Sequence, residues 1–382
     1  MGKGKQNAMK VLYIGHYRED TGWAQAARDY ILAMDSVGID VVCRNVTLTQ
    51  WSEDIPQRIK HLESKNSEGC TACLQHVLPH HLVGTQLMDK NVALFVSESA
   101  SIKPNNWFVH LQQMGEVWVP NTEMRDTFVE ENLLPPDSIR VVPYAFDLSK
   151  YKQPHKDMRI PDADSRFRFY YVGDVNDRKN LVSVIRCFYS EFDKSEPVSL
   201  ILKVGKFGQS PANIDAAIHQ LCGNMKSRLR MYRSTEDYPP ITVISNRLAE
   251  DELNALHQYA DCFLCPSHGE GWSLPSFDAM CFGNTPICSN TGGPREFINS
   301  DNPNTGSLVD GQLGVCDCND AAFPDIFTGR EEWFIPDESK FKKEMRYYYE
   351  NRESIDRDEG LQQGEKFSYE KVGNQIKEYL GG

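Results

Sequence analysis

Residues 267–296 read SHGEGWSLPSFDAMCFGNTPICSNTGGPRE, from Ser267 to Glu296. Just upstream, Cys262 to Cys265 is a short apolar run closed by Pro266, and within the block Thr285 to Cys288 is another. Between the two runs a glycine-containing turn leads into a helix predicted to begin near Leu274. Pro275 suits the first helical position, where a missing N–H removes no intrahelical bond. Strand, turn, helix, strand is the repeating unit of an α/β fold built on a parallel sheet. The N–H groups at that helix start form an anion site, favoured further by the helix dipole.

The same unit recurs upstream. Near the start, Val11 to Ile14 is a buried strand ending at Gly15. Trp23, Ala27, Tyr30, Ile31 and Met34 then fall at helical spacing, Gly38 closes the helix, and Ile39 to Val46 is the next strand. Val92 to Val96, Val117 to Val119 and Ile139 to Val142 continue the series, whereas residues 52–85 are polar and carry no clear element. Pro143 to Asp164 is rich in Pro, Asp and Lys without periodicity, and reads as a linker. A second alternating series follows: Phe167 to Val172, a helix from Asn180, Val198 to Val204, Ile241 to Ile244, a helix from Glu250, and the block quoted above. The predicted fold class is α/β, with two Rossmann-like doubly wound domains facing across a cleft, where strand carboxyl ends bind ligands. The first domain spans residues 1–150 and the second 151–360. At the end, Val372, Ile376, Tyr379 and Leu380 share one helical face, with Ser368 placed to cap it.

The candidate chemistry is that of a phosphate flanked by hydroxyls. Asp278 lies one turn beyond Leu274 on the same face, and Glu270 sits in the turn before it. Two acids beside an anion site repel a phosphate unless they bind hydroxyl groups on either side of it. Nucleotide sugars have that layout. Spacing alone balances this against a plainer reading, in which Asp278 only assists the helix start and Glu270 is a solvated loop acid. Arg178 and Lys179, after the Phe167 to Val172 strand, offer a fork and a point charge for a diphosphate, although most such pairs are solvated surface. Gly22 and Trp23 stand in the first strand-to-helix loop, where glycine permits close approach or simply makes a turn.

Bulk properties narrow the classes. The chain has 382 residues, enough for two domains, with 40% hydrophobic and 25% charged residues, as in ordinary soluble proteins. Its 41 basic and 54 acidic side chains give −13, which disfavours non-specific nucleic-acid binding. No window reaches the ~18–20 apolar residues of a membrane helix. The first residues carry no apolar secretory segment, and Gly2 is followed by Gln6 where a myristoylation motif wants Ser or Thr. Eleven cysteines without a secretory signal predict reduced thiols and a cytoplasmic location.

The block from Ser267 to Glu296 resembles the donor-site signature of retaining glycosyltransferases of family 4, which have the GT-B fold. The matches are Glu270, Gly271, Trp272, Ser273, Leu274, Pro275, Asp278, Ala279, Met280, Gly283, Pro286, Ile287, Gly292, Gly293 and Glu296. Gly22-Trp23, Trp118 to Asn121, Val142 to Asp147 and Phe367 to Tyr369 agree in order. The resemblance implies transfer of a hexose-type sugar from a UDP or GDP sugar to an acceptor that it does not identify. It implies retention of anomeric configuration, with no metal and no other cofactor. Glu270 would hold the donor sugar hydroxyls and Asp278 the ribose diol. Arg178 and Lys179 would neutralise the diphosphate with help from the N–H groups of Ser273 and Leu274. Asn246 and Arg247 would border the base, Gly22 and Trp23 would approach the phosphates, and Glu98 would face the reacting sugar. A C-terminal helix within 361–382 would pack back on the first domain. Two departures stand out: Asp278 replaces the usual Glu, and Asp174 replaces a frequent Arg.

Rival readings of the same residues are a nucleotide-sugar epimerase, a phosphorylase or a hydrolase of like architecture, and a non-catalytic sugar-nucleotide-binding protein. A further class is a zinc module, because Cys70, Cys73, His76 and His80 offer N/S ligands within a dozen residues. Asp162 and Asp164 lie in the linker and read as exposed, and Cys262/Cys265 and Cys316/Cys318 read as strand and loop.

Overall fold

The computed structural model describes residues 9–49, 54–316 and 327–381. The chain divides into two compact units, one formed by Met1–Ser97, Ser101–Lys150 and Glu365–Gly382, the other by Glu98–Ala100 and Tyr151–Gly364. Each is built on its own six-stranded, all-parallel sheet.

In the first unit the strands are β1 (Lys10–Gly15), β2 (Asp40–Asn45), β3 (Ala72–His76), β4 (Lys90–Leu94), β5 (Glu116–Val119) and β6 (Ile139–Val141), ordered β2-β1-β3-β4-β5-β6. Helix α1 (Gly22–Ser36) crosses from β1 to β2, its first turn capped by the Thr21 hydroxyl, which accepts from the Ala24 N–H at 3.1 Å. Helices α2 (Gln57–Glu63), α3 (Phe108–Leu111) and α4 (Thr122–Glu130) complete the crossovers. Asn121 caps α4 by accepting from Met124 N–H at 2.8 Å. Val77, Ala93, Phe95, Val117, Val119 and Phe128 build part of this unit's core.

Strand β3 and helix α2 occupy the polar stretch that gave no clear element. The reason lies in β3, which buries Gln75 and His76. The Gln75 amide is satisfied by the backbone of Val83, at 2.7 and 3.0 Å, and His76 by side chains from elsewhere in the unit. A strand whose buried polar groups find distant partners shows no apolar run in sequence.

The second unit has β7 (Phe167–Asp174), β8 (Val198–Gly205), β9 (Ile241–Ile244), β10 (Cys262–Cys265), β11 (Thr285–Ser289) and β12 (Ser307–Val309), ordered β12-β11-β10-β7-β8-β9. β7, β8 and β10 read as near-continuous apolar runs because helices cover both faces of a parallel sheet. The helices are α5 (Leu181–Glu191), α6 (Pro211–Leu229), α7 (Glu250–Tyr259), α8 (Leu274–Cys281), α9 (Pro294–Phe297), α10 (Glu338–Glu350) and α11 (Asp358–Gly364). Phe169, Phe188, Leu200, Leu202, Leu264 and Ile287 lie in one core cluster. An antiparallel hairpin, β13 (Gly311–Val315) with β14 (Glu332–Pro336), completes the unit.

The linker stretch is more ordered than its composition suggests. Tyr151, Ile160 and Ala163 are buried, and the Asp164 carboxylate accepts from Ile160 N–H and Tyr259 hydroxyl at 3.1 and 2.6 Å. Asp162 and Asp164 themselves are exposed. The last helix, α12 (Tyr369–Tyr379), capped by Ser368, packs on α1 within the first unit, where the Tyr369 hydroxyl donates to Asp29 at 2.6 Å. Among the described residues no helix is long and apolar enough to cross a membrane.

Candidate functional site

The strand order of the second unit decides where a ligand can sit. From β7 the chain moves one way to β8 and β9, then returns to the other side of β7 with β10, β11 and β12. The crossovers after β7 and β10 therefore leave in opposite directions and open a crevice at the carboxyl ends of those two strands. Arg178 and Lys179 follow β7, and Glu270 follows β10.

Local bonds fix these loops. Asn176 accepts from the Lys179 N–H at 2.9 Å, and Asn180, in the left-handed region at φ 53°, donates its amide to Pro266 O at 2.9 Å. The His268 N–H donates to Arg178 O at 2.8 Å, lacing one loop to the other. The Arg178 guanidinium donates to Gly269 O at 2.6 Å and Glu270 Oε1 at 3.2 Å, and its other arm meets Glu98 Oε1 at 2.9 Å. Lys179 Nζ stands 2.7 Å from the same Glu270 oxygen. The two cations are 12% and 17% exposed and Glu270 only 6%, so all three point inward.

Burial alone would raise the Glu270 carboxyl, but Lys179 and Arg178 outweigh it and hold it below the usual carboxylate range. Glu98 moves the other way, raised by burial and by the neighbouring Glu270 charge against the pull of Arg178. Two cations and two acids leave this cluster with no net charge.

Two glycines make the loops possible. Gly292 has φ +64°, and a Cβ there would lie 2.1 Å from Glu270 O; a Cβ on Gly269 would lie 2.0 Å from Glu98 O. Both backbones press directly against the acids they position.

Helix α8 begins where the sequence places it. Ser273 adopts φ 73°, and its carbonyl accepts from Ser276 and Phe277 N–H at 3.1 Å each. The N–H groups of Ser273 and Leu274 precede Pro275 at the amino end of the helix. Asp278, one turn on, accepts from the Tyr151 hydroxyl at 2.5 Å, a partner that sequence spacing gave no means to find.

The remaining expected site residues lie in varied surroundings. Trp272 is buried against Phe277 and Phe297, so its indole belongs to the core, and of Gly271 and Trp272 only backbone is left to line the crevice. Asn246 and Arg247 are exposed after β9, two strands out from β7. Gly22 and Trp23 open α1 in the first unit, and the Trp23 indole N–H is taken by His76 Nε2. Glu98 joins Arg178, as described.

The zinc ligand set is not assembled. Cys73 and His76 point to opposite faces of β3, and among the described residues no group of three His, Cys, Asp or Glu is poised to hold a metal. Cys70, Cys73 and Cys316 are buried free thiols, and Cys318 lies outside the described residues.

Residues 156–313 match the family model described as Glycosyl transferases group 1. Comparison with curated proteins gives no match. Among solved structures, the chain resembles Anabaena HepE in complex with UDP-glucose, with TM-score 0.65 and 12% identity over 97% of this chain and 99% of that one. The fold is GT-B. Sucrose-phosphate synthase from Thermosynechococcus elongatus gives TM-score 0.63 at 14% identity, over 97% and 98% of the chains. The lipopolysaccharide outer core galactosyltransferase WaaB gives 0.62 at 12%, over 97% and 99%.

Proposed function

We propose that this GT-B protein is a glycosyltransferase that moves a hexose-type sugar from a nucleoside-diphosphate sugar to an acceptor, with retention and without a metal. One observation carries the reading. Arg178 and Lys179 converge on Glu270 in the crevice between β7 and β10, and α8 starts four residues after that acid. A diphosphate is the ligand that answers two inward cations and a helix start together. The match to the glycosyl transferases group 1 model and the UDP-glucose held by the HepE structure support a nucleotide-sugar donor.

On this reading the reacting sugar passes through an oxocarbenium-like state while negative charge grows on the departing diphosphate. Arg178, Lys179 and the N–H groups of Ser273 and Leu274 hold that charge in place. One pre-positioned donor of this kind is worth about 3 kcal/mol of barrier. Glu270 orients sugar hydroxyls, and Asp278, steadied by Tyr151, takes the ribose diol.

The test is a thermal-shift panel of UDP and GDP sugars, followed by transfer assays with and without EDTA and proton NMR of the product's anomeric centre. A stabilising donor, an EDTA-insensitive reaction and a retained anomer are expected. Absence of any stabilising nucleotide sugar would remove the donor assignment. An inverted product would remove retention, and conversion of the donor without an acceptor would favour an epimerase or hydrolase.

A further inference from the structure

The hairpin of β13 and β14 lies mostly beyond the segment that matches the family model, which ends at residue 313, and the function proposed above gives it no task. A two-stranded hairpin is marginally stable by itself, so something must hold it. β13 leaves Leu313 and Val315 54% and 75% exposed, and that strand does not anchor it. β14 buries Trp333.

The anchor is the loop that follows β10. His268 lies flat against the Trp333 indole, with ring centroids 5.4 Å apart and planes 13° from parallel. Two hydrogen bonds close on the next residue: the Phe334 N–H donates to His268 O at 2.9 Å, and His268 Nδ1 donates to Phe334 O at 2.8 Å. A carbonyl only accepts, so the ring proton sits on Nδ1. Burial lowers the pKa of this ring below the ordinary histidine value, so near neutral pH it brings no charge to the neighbourhood of Arg178. A phenylalanine could stack on Trp333 as well, but it could not hold the Phe334 carbonyl.

Both acids that meet Arg178 are thereby tied to β14. His268 stands two residues before Glu270. Its N–H donates to Arg178 O at 2.8 Å, and the following carbonyl, Gly269 O, accepts from the Arg178 guanidinium at 2.6 Å. Glu98 is tied through its own segment, where the Ala100 N–H donates to Glu332 O at 3.0 Å. A Cβ on Gly269 would lie 2.0 Å from Glu98 O, so the two segments press on each other without slack. Glu332, Trp333 and Phe334 thus fix in turn the Glu98 segment, the His268 ring and the His268 backbone. A charged constellation functions only when held to within roughly 0.5 Å, and that is what such bonds supply.

We propose that β14 is a positioning strand for the charged cluster, with His268 as its positioning residue, setting Glu270 and Glu98 against Arg178 so that the guanidinium is aimed before a ligand arrives. What the aimed cluster binds rests on the donor reading; the positioning does not.

The experiment follows the Glu270 carboxyl by 13C NMR in the full chain labelled at its glutamate carboxyls, with Glu270→Gln identifying the signal. In the unaltered protein this carboxyl should titrate below the ordinary value of about 4.3, held there by Lys179 and Arg178. His268→Phe keeps a flat ring on Trp333 and removes the Nδ1 donor, so the Glu270 titration should climb toward or past that value. His268→Asn, whose amide nitrogen takes the place of Nδ1, should restore it. The titratable groups close enough to act on Glu270 are Lys179, Arg178, Glu98, Tyr171, Cys265 and Cys288, and neither substitution alters any of them. Calorimetry should show UDP bound about fivefold more weakly by the Phe variant and normally by the Asn variant. A purely structural histidine would lower the melting temperature and leave both readings of the folded protein in place. The proposal is overturned if folded His268→Phe keeps the Glu270 titration of the unaltered protein, or if His268→Asn fails to restore it. Should the Phe variant not fold, Trp333→Phe carries the same test from the hairpin side, with a smaller rise expected and an unchanged titration overturning the proposal. If neither UDP nor GDP binds the unaltered protein, the donor reading falls, and the Glu270 titration still decides the positioning.

Discussion

Lys179→Met removes the ammonium 2.7 Å from Glu270 while keeping a stem of similar length. Glu270, 6% exposed, would then keep Arg178, at 3.2 Å, as its nearby cation. Stripping a buried charge of its partner costs about 3–5 kcal/mol. With one cation remaining, and with protonation open to the carboxyl, the expected loss is about 1–2 kcal/mol. Lys179 helps to hold the Glu270 carboxyl below its usual range. A carboxylate depressed in this way stabilises the fold above its unfolded pKa of about 4.3, and that stability fades as pH falls through the folded value. The melting-temperature difference between variant and unaltered protein should therefore be largest near neutral pH and shrink toward pH 4. UDP affinity should fall by about 10- to 150-fold, because a charge-assisted contact is worth about 1.5–3 kcal/mol. The double variant with Glu270→Gln separates the two effects: the acid no longer needs its cation, so stability recovers while UDP binding stays weak. Thermal unfolding across pH 4–8 and calorimetric titration with UDP are the assays. A folded Lys179→Met protein that binds UDP within twofold of the original would refute the argument.

Three further outcomes follow from neighbouring geometry. Glu98→Gln removes an acid from Arg178, so UDP should bind more tightly, and the gain should grow with rising pH as the raised carboxyl ionises; a gain independent of pH in calorimetry counts against this role. Gly292→Ala meets both a left-handed backbone and Glu270 O at 2.1 Å, and should cost more than the roughly 1–2 kcal/mol of handedness alone, read by urea unfolding. His76, lowered to about 3 by burial, is neutral when folded, so its contribution is complete above about pH 6.5 and is lost as pH falls toward 3. His76→Gln should flatten the fall in melting temperature over that window, and an unchanged slope would show that another group sets it.

Much of this was legible before any tertiary structure. The buried parallel strands from Val11, Phe167 and Val198 announce themselves as apolar runs, because a sheet covered on both faces needs no polar side. The start of α8 is equally plain, since Pro275 and the turn before it act within a few residues. Local rules of this kind do not need the rest of the fold.

Other features needed the assembled chain. Trp272 and Trp23 look alike as aromatic residues beside glycine, yet one is core and the other is held by His76 at the start of α1, because only packing separates them. The adjacent pair Arg178 and Lys179 lies about ninety residues from Glu270 in sequence and meets it only when β7 and β10 pair. Tyr151 finds Asp278 in the same way, across more than a hundred residues. Most strands and helices, and the residue types that could bind a phosphate, follow from short-range periodicity and capping. Which polar groups are satisfied, as Gln75 is by Val83 and Asp278 by Tyr151, depends on packing. Hydrogen bonding inside a fold is settled by residues that the chain brings together from a distance.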